Sequence, residues 1–306
     1  MRASLVSLGL AAVGMGGWAL RTESSPEYRL VERAANSTVH AIDVHGRDRW
    51  SVQILADIQD GFLYLPRVLA EGEALGVDAV VVAGDLARGD GGDHLSLLLR
   101  QLALHPPQVP LFAVPGNHDT VRPVDRQRFV RCFGATEFEF RIGHTWFVGL
   151  DSTRGFTKSD RDRLQARIAH AERGGERVVV VRHHSPLPSP DPRENPYASE
   201  ELTALLEHPS VAFVLSGHAH HWSAAERRGV RFVVAPPSGD RSHGQGQTAI
   251  SYLVLRWTGT QFELEHRQFF RSNWLELEAA LQHVILAHWI PSLSGFFSRG
   301  AVGSET

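Results

Sequence analysis

Residues 79–85 read Ala-Val-Val-Val-Ala-Gly-Asp, an apolar, β-branched run that stops at a glycine and a carboxylate. Valine favours extended backbone, and a run without polar alternation reads as a strand covered on both faces. The same grammar recurs along the chain. Trp50–Ala56 ends in Asp57, Leu111–Val114 leads to Gly116-Asn117, Val178–Val181 to His183-His184, and Val211–Leu215 to Gly217-His218. Between these runs, apolar spacing predicts helices over Leu63–Leu75, His94–Leu104, Val124–Phe133, Ser159–Glu172 and Ser199–Glu207. Strands alternating with helices imply an α/β protein with its helices outside the sheet. Shorter strands at Phe138–Ile142, Trp146–Leu150, Arg231–Ala235, Tyr252–Trp257 and Phe262–Glu265 suggest a second sheet facing the first. In open α/β sheets ligands gather beyond the carboxyl ends of the strands, so the five polar motifs are expected to meet in one crevice.

Bulk properties narrow the chemistry. The chain has 306 residues, 42% of them hydrophobic, enough for one full core. A net charge of -3 and the lack of any basic run give no electrostatic footprint for nucleic acid, so none is expected as a partner. The single cysteine, Cys132, excludes an internal disulfide and any CxxC zinc site, and reads as a small buried apolar residue. No GxSxG string is present, which argues against a serine hydrolase. The 17 histidines gather in strings with glycine, asparagine and aspartate instead of scattering. Metal chemistry here would therefore use oxygen and imidazole.

The ends of the chain read differently from its middle. Arg2 precedes an uncharged stretch, Ala3–Leu20, which as a helix would reach roughly 27 Å. That is close to the hydrocarbon thickness of a bilayer. Residues 1–22 are therefore expected to be a signal peptide or a retained membrane anchor, with the body outside the cytoplasm, periplasmic or at the cell surface. Residues 271–306 are expected to form an amphipathic helix and tail, with Leu275, Leu277, Leu281, Val284, Ile285 and Trp289 on its apolar face. The domain proper spans residues 48–270. Pro186–Pro196 is too rich in proline for a helix or central strand and reads as a stiff loop beside the crevice.

The motifs, as they stand, are Asp57-Ile58-Gln59, Gly84-Asp85, Gly116-Asn117-His118-Asp119, His183-His184 with Ser185-Pro186, and Gly217-His218-Ala219-His220. Carboxylate, amide and imidazole groups suit divalent cations of the manganese, iron or zinc kind. A carboxylate between two ions bridges them at roughly 3.5–4 Å separation. In order and spacing the set resembles the calcineurin-like metallophosphoesterase family, over roughly Trp50 to Glu265. The resemblance implies a four-layer αββα sandwich of two facing mixed sheets with outer helices. It further implies two divalent metal ions, with Asp85 bridging them. Asp57 and His220 would complete one site, and Asn117, His184 and His218 the other. His118 would be a general acid or charge stabiliser, with Asp119 orienting it. The implied reaction is attack of a metal-bound hydroxide on a phosphomonoester, phosphodiester or diphosphate.

Two positions mark what is particular to this chain. Most of the family has histidine two residues after the first aspartate, whereas Gln59 stands here, resembling the manganese-dependent ADP-ribose/CDP-alcohol diphosphatase branch. An amide oxygen is harder than an imidazole nitrogen, which favours manganese, with iron or zinc as alternatives. If Gln59 does not coordinate, the first site is underligated, and the alternative is a non-catalytic binding module. His184 is taken as the ligand because the family pattern places it two residues before a proline; His183 and Arg122 are then candidates for contacting a phosphorylated small-molecule or lipid substrate. The glycines Gly84, Gly116 and Gly217 are expected to let the backbone turn sharply before each ligand.

Overall fold

Val80 and Val82 point to one side of their strand and Val81 to the other, and all three are at most 2% exposed. That double burial is what a central strand of a covered sheet requires. The computed structural model describes residues 35–89, 94–188, 195, 197–239 and 249–270; the expected segments 1–22 and 271–306 lie outside the described residues.

Twelve strands are present among the described residues: β1 (Ala41–Ile42), β2 (Trp50–Leu55), β3 (Ala79–Ala83), β4 (Leu111–Val114), β5 (Phe138–Ile142), β6 (Thr145–Gly149), β7 (Arg177–Val181), β8 (Val211–Ser216), β9 (Ser223–Arg227), β10 (Val230–Val234), β11 (Ala249–Trp257) and β12 (Phe262–Phe270). The helices are α1 (Leu65–Ala74), α2 (His94–Leu104), α3 (Pro123–Phe133), α4 (Lys158–Gly174) and α5 (Glu200–Leu206). One sheet runs β12-β11-β2-β3-β4 and the other β1-β5-β6-β7-β8-β10-β9. In the first, β2, β3 and β4 are parallel, while β11 and β12 add antiparallel neighbours. In the second, β6, β7, β8 and β10 are parallel, β5 is antiparallel to β6 and parallel to β1, and β9 is antiparallel to β10.

Three apolar layers cement this arrangement. Helices α1, α2 and α3 cover the first sheet, through residues such as Val68, Leu98 and Phe129 against Val80, Val82 and Val254. Val81, Phe112, Phe140, Phe147, Val181 and Leu215 fill the space between the sheets. Leu164 and Ile168 of α4 and Leu202 of α5 close the far face of the second sheet. The architecture is the expected αββα sandwich of two mixed sheets. The partition of strands is not the expected one, for the five motif-bearing strands are shared: β2, β3 and β4 lie in one sheet, β7 and β8 in the other. An apolar run shows that both faces of a strand are covered, but not which sheet it joins. Strand β9 had no sequence signal, since it is almost wholly exposed and held by its pairing with β10.

The layer between the sheets depends on a phenylalanine stack. The Phe140 ring lies 4.0 Å from that of Phe112 across the sandwich and 4.9 Å from that of Phe147 beside it. Phe140 is fully buried. Phe140→Ala is expected to destabilise the fold by about 3–5 kcal/mol, read as a lower urea midpoint with an unchanged slope.

Candidate metal centre

The five motif strands end on the same side of the sandwich, and the backbone there turns in a way side chains normally resist. Among the described residues, non-glycine positive φ occurs at His45, Asp57, Gln59, Asp85, His218, His220 and Arg228. Five of these seven are the candidate ligands. The left-handed region costs L-residues energy, so its concentration here marks a place where surrounding structure holds the chain against its preference. The turns are pinned to one another: Asp57 N–H donates to Gly84 C=O at 3.1 Å, Gln59 N–H to Asp85 C=O at 3.1 Å, and Gly217 N–H to His183 C=O at 2.9 Å.

The glycines contribute mainly space. Gly84 has the expected positive φ of 87°, but the left-handed turns after the other two belong elsewhere, notably to His218 itself. A Cβ on Gly116 would lie 2.1 Å from Asp85 Oδ1, and one on Gly217 would lie 2.7 Å from Asp57 Oδ2. These two glycines let a carboxylate lie directly on the backbone, which corrects the expectation that they relax its torsion.

The floor of the crevice is fully buried and holds Asp57, Gln59, Asp85 and His183. His183 Nε2 lies 3.3 Å from Asp85 Oδ2 and 3.1 Å from Asn117 Oδ1, while its Nδ1 lies 2.9 Å from the Ala83 carbonyl. Asp85 Oδ1 accepts the His118 N–H at 2.9 Å. Asp57 accepts the His218 N–H through both oxygens, at 3.2 and 3.0 Å, and its Oδ1 stands 3.4 Å from His220 Nε2. Asn117, His118, His218 and His220 are half-buried and form the rim. Two triplets bring metal-binding atoms within 4.8 Å of one another: Asp57, Asp85 and His183, and His183, His184 and His218.

Gln59 belongs to the floor. Its Nε2 donates to Asp85 Oδ2 at 3.2 Å, but its Oε1 is buried with no hydrogen-bond partner. A desolvated amide oxygen is costly unless something engages it. A hard cation against Asp57 and Asp85 would do so, and the donor set of carboxylate, amide and imidazole fits such an ion.

The electrostatics point the same way. Burial, reinforced by Asp85, raises the Asp57 pKa to about 6, although His183 and His220 pull it down. Burial would raise Asp85 too, but the adjacent His183 more than offsets this and leaves it below the ordinary carboxylate range. Burial opposes the charged form of His183, yet Asp85 and Asp57 raise it to about 9. His184, desolvated and facing His183, His218 and Arg182, is pushed far down. Two buried carboxylates thus draw on the imidazoles around them, His183 first, for compensation, the work divalent cations perform in such a cluster.

Several sequence assignments need revision. His183, expected at the substrate, enters the carboxylate cluster, while His184 joins His183 and His218 in the second triplet, its ring centroid 4.4 Å from that of His218 and its Nδ1 2.9 Å from Ser152 Oγ. The reason is parity. Val179 and Val181 face the space between the sheets, so His183 does as well. Counting back from Pro186 points to His184 and overlooks His183. Asp119 does not orient His118; its carboxylate accepts the backbone N–H groups of Gly116, Leu86 and Ala87 at 2.8, 3.2 and 3.0 Å. Burial, and after it Asp85, raises Asp119 to about 7 against those bonds. Its role is to tie the Asp85 loop to the Asn117 loop. Arg122, expected at the substrate, caps α3, with its guanidinium on Asp125 at 2.6 and 2.9 Å. Asp151 caps the turn that follows β6, accepting the Thr153 N–H at 2.9 Å.

Comparison with known proteins agrees with this geometry. The family model for calcineurin-like phosphoesterases matches residues 51–222. A probable cyclic nucleotide phosphodiesterase from Vesicomyosocius okutanii is 23% identical over 202 residues, covering 62% of this chain and 83% of that protein. A glycerophosphodiester phosphodiesterase from Enterobacter lignolyticus is 28% identical over 182 residues, covering 52% of this chain and 62% of its own length. Among solved structures, a dimetal phosphatase from Danio rerio superposes with a TM-score of 0.59 at 15% identity, covering 73% of this chain and 99% of that one, a likeness of fold. With its strands, its strand-end motifs and more than half its length matched, the chain belongs to the calcineurin-like phosphoesterase family and is a phosphoric ester hydrolase.

Proposed function

We propose that this protein is a manganese-dependent phosphodiesterase whose dinuclear site is built on Asp85. The observation that carries the reading is the buried cluster of Asp57, Asp85 and His183, two carboxylates and an imidazole with metal-binding atoms within 4.8 Å of one another, beside the unpartnered Oε1 of Gln59. Asp57, Gln59, Asp85 and His220 would hold one ion, and Asp85, Asn117, His183 and His218 the other, with His184 bordering the second. Bound ions of this kind polarise phosphoryl oxygens and activate water.

The protein's own residues do the rest. Asp85 is fixed through both oxygens, so it offers a preorganised charge. His118 Nε2 is 4.0 Å from Asp85 Oδ2 with about a third of the side chain exposed (31%), on the open side where a leaving oxygen would take its proton. Asp119 holds the two loops in register. A diester is favoured over a monoester or diphosphate because the relatives above carry phosphodiesterase names. From the charge pattern of residues 2–29, we place the enzyme outside the cytoplasm, tethered or secreted.

Full-length protein loaded with manganese should hydrolyse bis(p-nitrophenyl) phosphate. No turnover with manganese, iron or zinc would favour the binding-module alternative. Gln59→Leu, which keeps the volume but removes the oxygen, should weaken manganese binding at one site by about 10–100-fold, measured by titration. Unchanged affinity for both ions would show that Gln59 is not a ligand.

A further inference from the structure

Trp222 follows His220 by two residues and is 38% exposed. The ring does not hang free: it lies on the ring of His266 with centroids 5.4 Å apart and planes 21° from parallel. His266 belongs to β12 and shares strand parity with Phe262 and Leu264, which pack between the sheets. Trp222 immediately precedes β9, the edge strand of the opposite sheet. The stacked pair therefore bridges two sheet edges at the open side of the sandwich.

Its distance from the chemistry follows from the strand register. His266 pairs with Leu253, and Leu253 with Ile54, three residues before Asp57. Trp222 is thus two strands to the side of the metal cluster and three residues short of its level, roughly 14 Å away at ordinary strand spacing and rise, although the chain sets it only two residues from His220. A phosphate at the ions, a sugar and a base laid on the indole would together span that gap. An indole fixed from behind by another ring presents a flat, polarisable surface with little rotamer freedom left to lose.

We propose that Trp222 is a specificity residue, a stacking platform for the base of a nucleotide substrate. The proposal rests on the phosphodiesterase reading above and names the substrate class for that same site. A base has a π-face for the indole whatever its hydrogen-bonding edge, so the platform would select for a planar base without selecting among bases.

The test is calorimetric titration of manganese-loaded, full-length protein with adenosine 5′-monophosphate and with ribose 5-phosphate, which lacks the base. Stacking of one base should make the nucleotide bind at least about fivefold more tightly. Trp222→Ala should abolish that difference while leaving ribose 5-phosphate affinity unchanged, and Trp222→Phe should retain most of it. Equal affinity for the two ligands, a preference that survives Trp222→Ala, or an equal loss for both in that variant would overturn the proposal. A base preference with no hydrolysis of bis(p-nitrophenyl) phosphate would leave the platform standing and overturn the phosphodiesterase reading alone.

Discussion

Asp85→Asn is expected to reduce turnover by about 1000-fold or more and to leave fewer than one manganese ion per chain. Losing a group that merely supports a ligand commonly costs 10–100-fold, and on the two-ion reading proposed above Asp85 would serve both sites. The substitution is nearly isosteric, so the fold should persist, but the amide cannot match the hydrogen bonds it inherits. Asp85 Oδ1 accepts from the His118 N–H, while Oδ2 faces both Gln59 Nε2 and His183 Nε2. Whichever way the new amide turns, its NH2 group points at a donor or towards an ion. Steady-state rates and metal analysis on one preparation measure both effects. Full activity in the variant would remove Asp85 from the centre of the site.

Gly116→Ala is expected to be nearly as damaging, although it adds one methyl group and removes no ligand. The new Cβ would lie 2.1 Å from Asp85 Oδ1 and 2.4 Å from Asp85 N. Neither atom can yield, since the carboxylate is fully buried and Asp85 N belongs to a turn whose C=O receives the Gln59 N–H. Gly116 also joins the Asp119 anchor, donating its N–H to that carboxylate. Overpacking of this kind costs about 3 kcal/mol at the upper end of its usual range, and displacement of Asp85 should weaken manganese binding by roughly 100-fold. Urea unfolding of metal-free protein reads the first effect and metal titration the second. A stable variant with native affinity would mean that the Asn117 loop moves freely relative to Asp85.

Most of what positions the site was legible before the structure, for identifiable reasons. Runs such as Ala79–Ala83 carry their own signal, because a short run of β-branched residues closed by a glycine favours a covered strand over a buried helix. Their polar ends named Asp57, Asp85, Asn117, His218 and His220, and the structure brings these residues together. What could not be read depends on three-dimensional neighbours. The sharing of motif strands between two sheets is a tertiary outcome, as is the exposed strand Ser223–Arg227, which exists only because β10 lies beside it. The place of His183 in the carboxylate cluster was accessible in principle, since counting parity from Val179 and Val181 points to His183. Asp119 looked catalytic because it follows His118, yet two of its three backbone partners, Leu86 and Ala87, come from a loop that only the fold brings near. Arg122 looked like a phosphate contact because of its charge, and local helix capping by Asp125 engaged it first.

The two-ion reading of the buried cluster is tested most directly by counting metal. Full-length protein reconstituted with excess manganese, freed of loosely bound ions and analysed by elemental mass spectrometry should hold two ions per chain, falling to one in Gln59→Leu. A wild-type value of one or none, reached under conditions in which the protein remains folded, would contradict the dinuclear centre.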